Sequence, residues 1–382
     1  MSLEFSNLSF DMPKNQSNVI KVIGVGGGGS NAVNHMYNKG IKGVDFVVCN
    51  TDAQALNSSP VPFKIQLGAA LTEGLGAGAN PEIGEQSAME SMEDIKNMLN
   101  TKSKMLFITV GMGGGTGTGS APVVAQAARE MGILTVGVVS KPFNFERRTP
   151  TAEAGIQELS EHVDSLITVP NDKLLKVLGR DFVLAKAFDY ANEVLHGAVQ
   201  GISELVTRPG MINVDFEDVN TVMKDSGVAI MGHATSEGED RAQKSISLAL
   251  NSPLLEDNDI RGAKHILLNI TSGTKEVTMD EIGEITNYVE EEAGYGTDVI
   301  WGVCRDDSLG EKVGITIIAT GFKEGGSRKP TPTEEKIVVS LDDSMEITGE
   351  PAMATGYTEG SNANTFDFDT DDVKRTIETI GV

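Results

Sequence analysis

The sequence predicts an α/β fold: a Rossmann-like parallel sheet, a long central helix, a smaller α+β unit and an acidic tail. Three observations carry that expectation. The first half alternates short apolar runs with helical periodicity at the spacing of βαβ units. Glycine-dense segments follow two of those runs directly and open into helical pattern. One long amphipathic stretch, Arg180 to Thr207, separates this half from a second alternation.

Taken in order, strand-like runs rich in β-branched residues are expected near Val19–Val25, Val44–Cys49, Met105–Val110, Ile133–Ser140 and Ser165–Val169. A parallel sheet built from them would place its loops, and therefore its site, along one carboxyl edge. "RDFVLAKAFDYANEVLHGAVQGISELVT" reads as one helix joining two halves. Beyond it, "AKHILLNI", "DVIWGV" and "VGITIIATGF" read as strands, with helices in "GEDRAQKSISLALN" and "TMDEIGEITNYVEEEAG". From "KEGGSRKPTPTEEK" onward the chain is polar and acidic and lacks the apolar surface to offset ordering. The expected division is a flexible segment over 1–17, a first domain over 18–180, the central helix over 181–207, a second domain over 208–322 and a disordered tail over 323–382. That tail ends in a short amphipathic pattern from Asp371 to Ile380.

Glycine loses more backbone freedom on folding than any other residue, so the run "GMGGGTGTGS" from Gly111 needs a compensating reason. A surface linker would have polar flanks. Here "KMLFITV" precedes it and the helical "APVVAQAARE" follows, with Pro122 expected in a first turn. Strand, glycines, helix is the order that presents backbone N–H groups and a positive helix end to an anion. The hydroxyls of Thr116, Thr118 and Ser120 are expected to add donors. "NVIKVIGVGGGGSNAVNHM" repeats the order, with Ser30 or Asn31 expected to cap the helix and Gly24, Gly26 and Gly29 satisfying G-x-G-x-x-G. A dehydrogenase would end its second strand on a ribose-binding acid, whereas this strand runs into Asn50 and Thr51 ahead of Asp52. A Walker NTPase would carry G-x-x-x-x-G-K-[ST], which is absent. With a third glycine cluster, "EGLGAGANPEIG", the expectation is a polyphosphate held mainly by backbone amides, against the alternative of purely structural turns.

Gly113, Gly114, Gly115, Thr116, Gly117, Thr118 and Gly119 resemble the phosphate signature of the tubulin/FtsZ family of GTPases. The likeness runs from about Val19 to about Phe322 and includes "NTDAQAL", "GLGAGANPE", "KPFNFE", "HVDSLITVPNDKLLKVLGR" and "AVQGISELVTRPGMINVDFEDV". The resemblance implies a tubulin-like fold and a GTPase that polymerises head to tail into filaments of the bacterial division ring. Its ligands would be GTP and GDP, with Mg²⁺ held mainly by phosphates and water. It implies that Gly27, Gly28, Gly29, Ser30 and Asn31 form the first phosphate loop and that Asn50 and Asp52 also bind the nucleotide. Ala77, Gly78 and Asn80 would sense the γ-phosphate. Glu146 would contact the ribose, Asn171 and Asn192 would face guanine, and Phe188 would cover the base. After "KPFNFE" the segment is shorter than in many relatives, so the nucleotide-contacting arginine is Arg148, which keeps its spacing to the next helix, or Arg147.

"NVDFEDV" places Asp215 and Asp218 at i and i+3. From the residues alone, acids at a helix start read first as caps and dipole partners. The resemblance implies instead that Asn213, Asp215 and Asp218 enter the nucleotide pocket of the next subunit and polarise the attacking water. A Rossmann regulator without polymerisation and a non-catalytic filament protein are the alternatives. The weak glycine fingerprint allows the first, and the intact acid pair speaks against the second.

Composition sets bounds. A net charge of −24 argues against nucleic acid or an anionic membrane as a direct partner. The two cysteines, Cys49 and Cys304, lie in apolar runs and read as buried, reduced thiols. The five histidines, His35, His162, His196, His233 and His265, lack metal spacing, and no metal site formed by the protein is expected. Without a signal-like start or an apolar span of membrane length, the expectation is a soluble intracellular protein. The resemblance places it in the cytoplasm at midcell, its tail binding division-ring tethers and regulators.

Overall fold

The computed structural model describes residues 18–100, 102–178, 183–208, 210–251, 259–294 and 296–322. The expectations for 1–17, for the tail over 323–382 and for the helix from Asp371 to Ile380 lie outside these residues.

The first sheet has seven parallel strands in the order β3-β2-β1-β4-β5-β6-β7. Five were legible: β1 (Ile20–Val25), β2 (Val44–Asn50), β4 (Met105–Gly111), β5 (Leu134–Lys141) and β6 (Ser165–Pro170). Every residue of β1 is buried, as an all-parallel sheet with helices on both faces requires. The edge strands β3 (Phe63–Gln66) and β7 (Gly227–Val228) were not read from sequence. Phe63 and Lys64 of β3 and both residues of β7 are exposed, so neither strand carries a buried apolar run.

Helices cover both faces. On one lie α1 (Gly26–Lys39), α9 (Leu184–Thr207) and α10 (Phe216–Met223), packing Val33, Met36, Leu195, Val199, Ile202 and Val222 against Ile20, Val22 and Phe107. The short α2 (Ala53–Ser58) and α3 (Ala69–Thr72) border the sheet edge. On the other face α4 (Pro81–Glu90), α5 (Met92–Leu99), α6 (Thr116–Glu130) and α7 (Thr149–His162) enclose Ile23, Leu106 and Ile108. A turn at Asn144–Glu146 follows β5, and α8 (Asn171–Leu178) follows β6.

The second sheet is mixed, in the order β10-β9-β11-β8. It contains β8 (Ile230–Ser236), β9 (His265–Ser272), β10 (Asp298–Arg305) and β11 (Val313–Thr320), with α11 (Arg241–Leu250) and α12 (Met279–Ala293) packed against it. Met231, Leu267 and Ile318 of this sheet join the same cluster as Ile202 and Leu205 of α9. The central helix is therefore enclosed between two sheets, as the amphipathic pattern predicts. Strand β8 was missed because its burial fades after Gly232, leaving too little periodicity to read.

Fully buried Arg241 ties the second half together. Its guanidinium donates to both Glu281 carboxylate oxygens, at 2.6 and 3.0 Å, and to the carbonyls of Lys275, Glu276 and Glu311 at 2.7–3.0 Å. Cys49 and Cys304 are buried free thiols, and desolvation pushes both up from the ordinary thiol range.

Candidate functional site

The strand order reverses between β1 and β4, and the crevice outside the carboxyl ends of such neighbours is where open α/β sheets bind ligands. Both glycine segments lie there; the first is wound into helix from its second glycine, whereas Met112, Gly113, Gly114 and Gly115 of the second form a turn ahead of its helix. Helix α1 begins at Gly26 and α6 at Thr116. The expected cap at Ser30 or Asn31 is therefore corrected: both residues lie inside α1, and Val25 is the N-cap with no side-chain bond. Pro122 is likewise inside α6 rather than in its first turn. All three expected hydroxyls are engaged within the protein: Thr116 shares a 2.6 Å hydrogen bond with the Thr51 hydroxyl, Thr118 accepts from the Gly113 amide at 3.0 Å and Ser120 donates to the Gly84 carbonyl at 2.7 Å.

An α-helix leaves its first N–H groups without intrahelical partners. Some helices of this chain satisfy them with a side chain, Asp52 accepting from the Gln54 and Ala55 amides at the start of α2 and Asn80 from the Glu82 amide at the start of α4, whereas α5, α7, α9 and α11 have no such cap. At α1 and α6 no side chain does so. The two uncapped, positive helix ends converge on one crevice, an arrangement suited to phosphate.

The crevice opens into a cavity of about 310 Å³. Of the expected residues, Gly27, Gly28, Asn31, Gly114, Gly115, Thr116, Gly117, Glu146, Arg148, Asn171, Phe188 and Asn192 line it. Arg148 lines it and Arg147 does not. Gly29, Ser30, Asn50, Asp52, Ala77, Gly78, Asn80, Gly113, Thr118 and Gly119 do not line it. Asn50 is buried and receives the Asp52 amide at 3.3 Å, and a Cβ on Gly115 would come within 2.7 Å of the Asn80 nitrogen. The 77–80 loop therefore abuts the start of α6. Gly111, Met112, Ser140, Pro142 and Ala191 also line the cavity and were not named from sequence. The first four sit at or just beyond the carboxyl ends of β4 and β5, where the sheet-edge rule would have found them.

The glycines divide by what a side chain would meet. A Cβ on Gly119 would overlap the Pro81 carbonyl oxygen, whereas on Gly27 or Gly114 it would meet no protein atom within 4 Å. What the bare Gly114 keeps clear is the cavity itself. Gly114→Ala is expected to fold with parental stability and bind nucleotide about 10–100-fold more weakly, a methyl clash of about 1–3 kcal/mol. Gly119→Ala is expected to lose about 1–3 kcal/mol of stability. Thermal melts and equilibrium binding measured on both variants separate the two effects.

At the other end of the cavity Asn171 is buried, and its amide oxygen has no hydrogen-bond partner. Buried acceptors are rarely left unpaired, so this one points to a ligand donor. Phe188 is 39% exposed, with its edge on Phe143 at a 5.3 Å centroid distance and 88°. Asn192 follows one helical turn later on the same face of α9. An aromatic face beside amide groups suits a planar base bearing N–H donors.

The acids lie elsewhere. Asp215 is the N-cap of α10, its carboxylate accepting from the Asp218 amide at 2.9 Å while Asp218 accepts from the Asp215 amide at 2.9 Å. The Asn213 amide oxygen accepts from the Gly210 amide at 2.6 Å. None of the three lines the cavity, and Asn213 and Asp215 are exposed. Among the described residues, no three or more His, Cys, Asp or Glu side chains gather where they could hold a metal ion. No helix among those residues is long and apolar enough to cross a membrane.

Residues 19–179 match the model of the Tubulin/FtsZ family, GTPase domain, and residues 227–323 that of the FtsZ family, C-terminal domain. The cell division protein FtsZ of Wigglesworthia glossinidia brevipalpis is 52% identical over 314 residues, 82% of this chain and 81% of that protein. The chain belongs to the FtsZ family. Its structure is similar to the empty FtsZ dimer of M. jannaschii, with a TM-score of 0.74, 42% identity, and coverage of 81% of this chain and 89% of that one. The GTPγS-bound CetZ2 protofilament of Haloferax volcanii shares the fold at a TM-score of 0.68 and 20% identity, over 80% of this chain and 93% of that one. As a member of that family, the chain is a tubulin-like GTPase of the cell-division cytoskeleton, and its GTPase-domain match spans β1 to β6 of the seven-stranded sheet.

Proposed function

We propose that this chain binds GTP in the glycine-lined cavity and hydrolyses it only when a second copy, stacked head to tail, delivers Asn213, Asp215 and Asp218 to the γ-phosphate. The observation that carries this reading is the separation of cavity and acids within one chain. From Phe188 in the cavity to Thr207 at its end, α9 runs for roughly 29 Å at 1.5 Å per residue, and the acids come after that end. A carboxylate that cannot reach the nucleotide of its own molecule can reach that of a neighbour.

In this reading the open ends of α1 and α6 hold the phosphates, with Ser30, Asn50 and Asp52 supporting that floor from behind. The loop carrying Ala77, Gly78 and Asn80 stands beside the γ-phosphate, and Arg148 offsets phosphate charge. Glu146 meets the ribose, the Asn171 oxygen and Asn192 take the N–H edge of guanine, and Phe188 covers its face. Phosphoryl transfer needs positioning and charge management more than covalent help, and a carboxylate orients water in line with the bond to be broken. Magnesium, kept by phosphates and water rather than by a protein cage, would neutralise the charge on the β- and γ-oxygens.

Joining a nucleotide edge to an acid loop makes a heterologous contact, which propagates into an open filament. The dimeric state named for the M. jannaschii relative and the protofilament named for CetZ2 support that reading. The same family likeness supports a cytoplasmic ring at midcell, with tethers and regulators taken by the tail.

Turnover measured against protein concentration, with light scattering alongside, tests the split site. GTP hydrolysis per molecule is expected to rise steeply above a threshold at which scattering also appears. A rate per molecule independent of concentration overturns the proposal.

A further inference from the structure

The acid loop is fastened to the second sheet, not to the sheet that binds nucleotide. The Met211 amide donates to the Val303 carbonyl at 2.9 Å, and the Val303 amide donates to the Ile212 carbonyl at 3.1 Å. This antiparallel bridge joins the loop to β10. Gly302 makes the approach feasible, since a Cβ there would lie 2.9 Å from the Val214 side chain.

A charge network closes over the loop's entrance. Arg208, directly after α9, is ion-paired through Nη2 with Glu204 at 3.0 Å and donates from Nη1 to Asp306 at 2.8 Å. Glu204 also accepts from the Gln200 amide at 2.7 Å. Asp306, directly after β10, accepts on its other oxygen from the Ser308 amide at 3.1 Å and the Ser308 hydroxyl at 2.7 Å. Arg208 and Asp306 are each 25% exposed at the side chain and Glu204 is 12% exposed, so the network is partly shielded from water. Burial raises the Asp306 carboxyl, but the bonds from Arg208 and Ser308 outweigh it and hold the group at about 2.

The mutual bonds of Asp215 and Asp218 are local to the start of α10 and do not locate that start relative to the rest of the molecule. The bridge to β10, the burial of Val214 and the Arg208 network do. We propose that Arg208 and Asp306 are positioning residues for hydrolysis, fixing the angle at which the acid loop leaves the body so that its carboxylates meet the neighbouring nucleotide in register. The inference rests on the head-to-tail reading. Its physical basis is the steepness of catalysis in distance, because a misplacement of about 1 Å can cost about 100-fold in rate.

The test compares Asp306→Asn, Arg208→Gln, the double variant and Asp306→Glu in full-length protein, with Asp215→Asn alongside. Asp306→Asn and Arg208→Gln are each expected to lower kcat about 10–100-fold, with GTP affinity and the assembly threshold within about twofold of parent. The double variant is expected to match Arg208→Gln, because that substitution already removes the Arg208–Asp306 contact together with the Glu204 pair, and Asp306→Asn adds no further loss. Asp306→Glu is expected to recover much of the rate. Parental kcat in Asp306→Asn, multiplicative losses in the double variant, or a raised threshold that accounts for the whole loss overturns the inference. If Asp215→Asn itself turns over normally, the split-site reading fails. If Asp215→Asn is inactive while Asp306→Asn is not, only the positioning role fails.

Discussion

Asp215→Asn should assemble at the parental threshold, bind GTP with parental affinity and hydrolyse it roughly 10²–10⁴-fold more slowly, the range associated with a positioned acid or base. Asparagine is the informative replacement because Asp215 has two tasks. As N-cap it accepts the Asp218 amide, and asparagine caps a helix about as well as aspartate. Charge is removed while the start of α10 keeps its bond. Asp215→Ala should lose turnover as well, with about 1 kcal/mol of additional destabilisation from the missing cap. If the carboxylate served only as a cap, Asp215→Asn would hydrolyse GTP like the parent, and single-turnover measurements on assembled protein would show it directly.

Arg241→Met should lower the unfolding free energy by about 3–5 kcal/mol, read as a fall in the urea midpoint. Removing the guanidinium leaves Glu281 without its cation and the carbonyls of Lys275, Glu276 and Glu311 without their donor. Replacing Glu281 as well should recover only part of the loss, because the three carbonyls stay deprived at about 1–3 kcal/mol for each group that water does not reach. The pH dependence follows from the same contact. Hydrogen bonds from Arg241 hold the Glu281 carboxyl below the usual carboxylate range, against the opposing effect of burial. A depressed folded-state pKa contributes stability above the unfolded value of about 4.3, and that contribution is lost as pH falls through the folded value. The gap between parent and Arg241→Met should therefore be full at neutral pH and narrow in acid.

The most legible elements were those whose burial is continuous. β1 and β4 announce themselves because every position but Gly111 is buried in an all-parallel sheet. The long apolar stripe of α9 did the same for the central helix. β3 and β7 were illegible because an exposed edge strand has no buried run to show. At the site, glycine density pointed to phosphate but not to conformation. Without capping side chains, the helix starts at Gly26 and Thr116 had no residue-level marker. Ser140 and Pro142 were hidden for another reason: their place in the lining is a property of sheet order, which brings β5 beside β4. Asp215 and Asp218 allowed both a capping and a catalytic reading from sequence, and within one molecule the capping bonds are visible.

Enclosing α9 between two sheets has a mechanical consequence. Val214, Val219 and Val222 belong to the same packed interior as Ile20, Phe107 and Ile318, so no soft layer separates the halves. A close-packed interior compresses little and transmits strain. In the proposed filament, tension would pass through each molecule as through a solid strut, arriving at the edge proposed to hold the phosphates instead of being absorbed at a hinge.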